Sequence, residues 1–142
     1  MNLRLMDTDH ISLIQRNGEE GKRIVARMSS VSREEIALSI VTFEEQTRGR
    51  LAEIARARSV SQQQLRYAEL NKLLETYCAT QILPFDDAAI AVFQDLWLQR
   101  TRIGTMDLKI AAIALANNAT LLTRNAQDFS KVPNLRIEDW SG

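Results

Sequence analysis

Apolar residues fall into two rhythms along this chain. Dense runs rich in aliphatic and β-branched side chains occupy residues 3–6, 36–41, 81–85 and 120–123. Runs of that length, bounded by polar or turn residues, predict buried strands. Between them apolar residues recur every three or four positions, which predicts helices with one packed face. Thr8 or Asp9 caps the first helix, which reaches about Arg16 and stops at Asn17-Gly18. A second helix is expected over residues 20–28, with Ile24, Val25 and Met28 turned inward. Thr42 caps a third that runs toward Arg58. Ser61 begins a fourth, ending near Tyr77, with Leu70, Leu73, Leu74 and Tyr77 on its packed stripe. Asp86 caps a fifth, with Ile90, Phe93 and Trp97 on one face and Ala89, Val92 and Leu96 beside them. Thr105 caps an alanine-rich sixth over residues 108–116. Residues 124–131 form a loop or short helix, and residues 135–137 a last short strand.

Strands that alternate with helices argue for a parallel sheet covered on both faces. The third and fourth helices follow one another without a strand, which predicts a long helical hairpin. A chain of 142 residues fits one compact domain. Lys plus Arg and Asp plus Glu both number 18, so any nucleic-acid site must be a local patch rather than a global field. The one cysteine, Cys78, has no intrachain partner and is expected as a buried filler in a reducing cytoplasm. No apolar run approaches the roughly 18 residues of a membrane span, and Asp7 and Asp9 interrupt anything resembling a signal peptide. The expectation is a cytoplasmic protein without a membrane partner.

Candidate chemistry lies where the strands end. Asp7 follows the first strand, Glu44 and Glu45 the second, Asp86 and Asp87 the third, and Asp128 the fourth. Asp107 opens the helix that feeds the fourth strand. Parallel strands share one carboxyl edge, where open α/β sheets bind their ligands, so several of these carboxylates should converge. Two unit charges ~5 Å apart repel by roughly 3 kcal/mol at an effective dielectric of 20. A cation or shared protons must relieve such a cluster, and oxygen-only ligands suit Mg²⁺ or Mn²⁺. Those ions activate water and stabilise charge in phosphodiester cleavage. The plainer account is that acidic residues favour the first turn of any helix. Thr42-Phe43-Glu44-Glu45 reads as a capping box, and Asp86 and Asp107 also sit where caps or first turns fall. A single histidine, His10, excludes a His-rich zinc site and argues against a Ser-His-Asp triad; it is expected as a packing or supporting residue. Neither GxxxxGK[ST] nor GxGxxG occurs.

In sequence order these residues resemble the PIN-domain family, more narrowly VapC-type toxins of type II toxin–antitoxin pairs. Leu5-Met6-Asp7-Thr8-Asp9 is similar to that family's apolar-apolar-Asp-Thr-Asn opening. Ser39-Ile40-Val41-Thr42-Phe43-Glu44-Glu45, followed by Gly49, resembles its Ser-x-x-Thr-x-x-Glu helix start. Gly104-Thr105-Met106-Asp107-Leu108-Lys109-Ile110-Ala111-Ala112 resembles its Asp-x-x-Ile-Ala-Ala segment. Thr123-Arg124-Asn125-Ala126-Gln127-Asp128-Phe129, with Val132-Pro133 and Ile137-Glu138-Asp139-Trp140, resembles its ending.

The resemblance implies a PIN-like three-layer α/β/α sandwich across residues 1–142, with a central parallel sheet of four to five strands and a protruding helical hairpin. It also implies a Mg²⁺- or Mn²⁺-dependent endoribonuclease, homodimeric and inhibited by a VapB-type antitoxin. The catalytic carboxylates would be Asp7, Glu45, Asp107 and Asp128, with Asp7 and Asp107 as the leading metal ligands. Asp9, Thr42, Thr123 and Asn125 would support them. Asp9 departs from the family's usual Asn, and Gln46 from its usual Leu. Two other readings compete: a PIN module acting only through protein contacts, and a haloacid-dehalogenase-like phosphatase with Asp7 as nucleophile. The phosphatase lacks a convincing phosphate-binding lysine after a later strand. The arginines of the hairpin, Arg48 and Arg50 foremost, are candidate contacts to RNA phosphate or antitoxin.

Overall fold

The structure, a computed structural model, describes residues 2–142. Five strands form one wholly parallel sheet: β1 (Arg4–Met6), β2 (Ile36–Ser39), β3 (Gln81–Leu83), β4 (Thr120–Leu122) and β5 (Ile137–Glu138). Their spatial order is β3-β2-β1-β4-β5. The chain therefore steps outward from β1 to β2 and β3, then returns to place β4 on the other side of β1. Ligands of open α/β sheets sit where the order reverses in this way. Here that point is the carboxyl end of β1 and β4.

Seven α-helices cover the sheet: α1 (Thr8–Arg16), α2 (Glu19–Met28), α3 (Ile40–Arg56), α4 (Val60–Cys78), α5 (Asp87–Leu98), α6 (Thr105–Ala116) and α7 (Ala126–Phe129). Successive strand residues point to opposite faces, and the core divides accordingly. Leu5, Ala37 and Leu121 face α5 and α6, together with Leu83, Leu96, Leu108 and Phe129. Met6, Ile36, Leu38 and Leu122 face α1, α2 and α4, together with Ile11, Ile24, Leu73, Tyr77 and Trp140. The result is a three-layer α/β/α sandwich, with α3 and α4 as the expected hairpin. Helix α6 has six buried residues, and its alanines let it lie close on the sheet.

Helix starts differ from expectation because hydroxyl and carboxyl side chains upstream captured the free N–H groups first. Asp7, not Thr8 or Asp9, caps α1, accepting the Thr8 N–H. Ser39 caps α3 by accepting the Thr42 N–H at 2.9 Å. The β-branched run over residues 36–41 thus ends as strand at Ser39, and Glu45 is the sixth residue of α3 rather than the third. The capping box is absent. Gly104, without a side-chain bond, precedes α6, and Thr105 is its first residue. Asp86 does cap α5, accepting the Ala89 N–H.

Helix phase also corrects several burials. The packed stripe of α2 runs through Gly21 and Ile24, leaving Val25 at the surface. A methyl group on Gly21 would collide with the Leu13 carbonyl, so this glycine sets how closely α1 and α2 approach. Leu74, Ile90 and Trp97 lie on the outer flank of their helices and are exposed. Cys78 is exposed and not a core filler, because it follows the buried Tyr77 by about 100° of helix. No described helix is long and apolar enough to cross a membrane.

Candidate active site

Sheet register fixes the centre of the site. Met6 pairs with Leu122, so Asp7 leaves β1 level with Thr123, and its N–H donates to the Leu122 carbonyl at 2.9 Å. The Asp7 carboxylate is buried. One oxygen accepts the Thr8 N–H at 2.8 Å; the other accepts the Thr123 hydroxyl at 2.8 Å. Burial above all, reinforced by the negative charge of Asp9 and more weakly of Asp107, pushes the Asp7 carboxyl up to about 7. The two hydrogen bonds oppose that rise without overcoming it.

Glu45 enters from α3. Its carboxylate accepts the Thr8 hydroxyl at 2.9 Å, and the Thr8 oxygen lies 3.5 Å from that of Thr42. Thr42 is fully buried and takes the Ser39 hydroxyl at 3.0 Å. This row of hydroxyls joins the ends of β1 and β2. Asp107 enters from the first turn of α6. Its proton affinity is raised, first by burial and then by Glu45, Asp128 and Asp9. No hydrogen-bond donor or cation among the described residues offsets that repulsion. Asp128 enters from α7. Asn125 donates its amide to Asp128 at 3.1 Å and accepts the Asp128 N–H at 3.3 Å. Lys131 stands 3.6 Å from the same carboxylate.

Asp7, Glu45, Asp107 and Asp128 therefore share one electrostatic neighbourhood, contributed by four elements at one sheet edge. Among the described residues, no three carboxylate, imidazole or thiol side chains are already gathered around a single point. The donor chemistry nonetheless fits a hard divalent cation: oxygen atoms only, buried or part-buried, with the repulsion at Asp107 unrelieved.

Several other acidic and basic candidates are otherwise engaged. Glu44 forms a surface pair with Arg48 at 2.6 Å, and Asp86 serves its cap. Arg50 donates to Gln15 at 3.2 Å and stands 3.9 Å from Glu53. Arg66 bridges Glu53 and Glu69. Two residues carry more structure than their sequence context signalled. Gln46 is buried and accepts the Tyr77 hydroxyl at 2.8 Å. Burial above all keeps the proton on Tyr77, with Glu45 adding to it. His10 is wholly buried and touches Asp9; its position directly after the Asp7-Thr8-Asp9 turn was the only hint.

A parallel sheet with its reversal at β1 and β4, and a buried carboxylate at that point, defines a recognisable class. The chain belongs to the PIN-domain family, whose model matches residues 5–135. Among curated relatives, it is 53% identical to Ribonuclease VapC2 of Rickettsia felis over 38 residues, 27% of this chain and 28% of that one. It is 24% identical to Ribonuclease VapC1 of Haemophilus influenzae over 143 residues, 96% of this chain and 97% of the relative. The matched segments span less than half the length of the Rickettsia relatives. Among solved structures, FitAcB from Neisseria gonorrhoeae has the same fold, with a TM-score of 0.74 at 24% identity, covering 97% of this chain and 98% of the other. VapBC-1 from nontypeable Haemophilus influenzae gives a TM-score of 0.74 at 22% identity, over 99% of both chains.

Proposed function

We propose that this protein is a Mg²⁺- or Mn²⁺-dependent endoribonuclease, the toxin of a toxin–antitoxin pair. The reading is supported by the electrostatic coupling of Asp107 to Glu45, Asp128 and, more weakly, Asp7 beside the reversal point of a PIN sheet, with Asp7 and Asp107 each made harder to ionise first by burial and then by nearby carboxylates. The VapC names of the relatives support the substrate class. Asp7 and Asp107 would hold the metal, with Glu45 and Asp128 completing its oxygen shell directly or through water. Bound there, the ion would supply a Lewis acid for phosphoryl oxygens and a water of lowered pKa.

The chain's own groups orient that machinery. Thr123 and the Thr8 N–H fix both oxygens of Asp7. The Thr8 hydroxyl aims Glu45, and Asn125 aims Asp128. Hydrolysis joins a water oxygen to phosphorus and releases one ribose oxygen. Glu45, outside any helix cap, would receive the water's proton, and the departing ribose oxygen would take one from solvent. A VapB-type antitoxin would inhibit by presenting Arg or Lys to the same carboxylates, since arginine pairs with them bidentately. The active form would be a cytoplasmic homodimer.

One observation favours a second reading, a PIN module that acts only through protein contacts: the carboxylates are not gathered for ligation among the described residues. Manganese titration with an RNA-cleavage assay separates the two. The ribonuclease reading expects saturable Mn²⁺ stabilisation and cleavage, both lost in Asp7→Asn and Asp107→Asn. Wild-type protein that neither binds Mn²⁺ nor cuts RNA would leave the interaction module.

A further inference from the structure

His10 is the chain's single histidine, and its ring is committed in opposite senses at its two nitrogens. Nε2 accepts the Trp140 main-chain N–H at 3.0 Å, with the Asp139 carboxylate farther off at 3.7 Å. A backbone N–H can only donate, so Nε2 carries a lone pair and the ring proton sits on Nδ1. Nδ1 lies 2.8 Å from Asp9 Oδ1 and donates to it. The other Asp9 oxygen accepts the Arg124 N–H at 2.9 Å and lies 3.2 Å from the Thr123 hydroxyl. Both oxygens of Asp9 therefore face a donor that cannot be reversed.

An amide at this position fails in either orientation. With its carbonyl toward His10, its NH₂ meets the Arg124 N–H. With its carbonyl toward Arg124, its NH₂ meets the His10 N–H, and moving that proton to Nε2 would set it against the Trp140 N–H. Only an acceptor at both atoms satisfies the arrangement. At the far end Trp140 is firmly seated. Its ring is buried, its Nε1 donates to Glu138 at 2.9 Å, and the Arg27 guanidinium lies 5.0 Å from the ring centre. Arg23 holds the next carbonyl, that of Ser141, at 2.7 Å.

We propose that Asp9, His10 and Trp140 form a positioning relay. The docked segment around Trp140 fixes the His10 tautomer, His10 fixes Asp9, and Asp9 pins the turn after β4 that carries Thr123, the hydroxyl partner of Asp7. Asp9 and His10 are then a matched pair: histidine at position 10 requires a carboxylate rather than an amide at position 9. The relay's effect on catalysis rests on the ribonuclease reading; its effect on structure does not.

Two measurements test it. Nitrogen NMR of the single imidazole in the wild-type protein should show the neutral form of the ring with its proton on Nδ1; a neutral ring protonated on Nε2 overturns the relay. A double-mutant cycle of Asp9→Asn and His10→Leu should be strongly non-additive. Asp9→Asn alone should lower the melting temperature by several degrees and cut kcat at least tenfold with KM within twofold. In the His10→Leu background the same change should cost less than half as much, because the amide is free to turn its NH₂ to solvent. Additive losses, or an Asp9→Asn protein indistinguishable from wild type, overturn the proposal. If His10→Leu fails to fold, the tautomer decides. If wild type cuts no RNA with either metal, the ribonuclease reading falls while the tautomer and the melting cycle still judge the relay.

Discussion

Asp7→Asn should stabilise the metal-free protein, and by an amount that depends on pH in a way no ordinary surface change would reproduce. Asp7 has a carboxyl raised to about 7 in the fold, against 3.8 for its ordinary value. Between those values the native state binds a proton that the unfolded state does not, so stability falls as pH rises through the window and levels off above about 7. The full span is about 3 units, on the order of 4 kcal/mol. At pH 5 roughly 1.5 kcal/mol of that is already lost, and at pH 8 nearly all of it. Asn removes the titration while keeping the contacts: its carbonyl accepts the Thr8 N–H and its amide donates to the Thr123 oxygen. The stability difference between mutant and wild type should therefore grow by about 2.5 kcal/mol from pH 5 to pH 8. Urea denaturation at the two pH values, with chelator present, measures it. Mn²⁺ at pH 8 should raise wild type and leave the mutant unmoved, because a ligand specific to the folded state acts by mass action. A mutant–wild-type difference constant across pH would refute the assignment of a raised Asp7 carboxyl, and with it the electrostatic argument for the site.

Because metal must displace the Asp7 proton, apparent Mn²⁺ affinity should rise about tenfold per pH unit up to about pH 7 and flatten beyond, measured by calorimetry. Glu45→Gln should leave stability within about 0.5 kcal/mol, since no cap is lost, while reducing RNA cleavage at least a hundredfold; cleavage at the wild-type rate would remove Glu45 from the site. Gln46→Leu should cost about 1–3 kcal/mol by stranding the Tyr77 hydroxyl, and adding Tyr77→Phe should recover most of it in denaturant melts. Gly21→Ala should cost about 1–3 kcal/mol by forcing α1 from α2, with cleavage per folded molecule unchanged.

Alternation of apolar runs and helical stripes made the parallel α/β class legible in the sequence, and Asp7 was legible as the residue that leaves the first strand. Two kinds of feature were not. Local competition for N–H groups was one: Ser39 and Thr42 are both good caps, and only the fold shows that Ser39 accepts the Thr42 N–H, which moved Glu45 out of the first turn. Tertiary pairing was the other. The Thr8–Glu45 bond spans 37 positions and the Trp140–His10 bond 130, and no local periodicity encodes either. Helical phase gave α4 a packed stripe through Leu73 and Tyr77 but misplaced Leu74 and Trp97, because a helix facing a single layer buries a narrower band than its apolar content suggests.

The strand order carries a consequence for how the molecule comes into being. β4 lies directly beside β1, yet the ribosome makes it only after β2, β3 and the six α-helices between. A nascent chain that stops at residue 100 has Asp7 at an open sheet edge, with no Thr123 to hold it, no Asp107 and no Asp128. The carboxylates cannot assemble piecemeal. If they form the blade of a ribonuclease, the blade is withheld until β4 and α7 have been made, and it is completed only as the centre of the sheet closes.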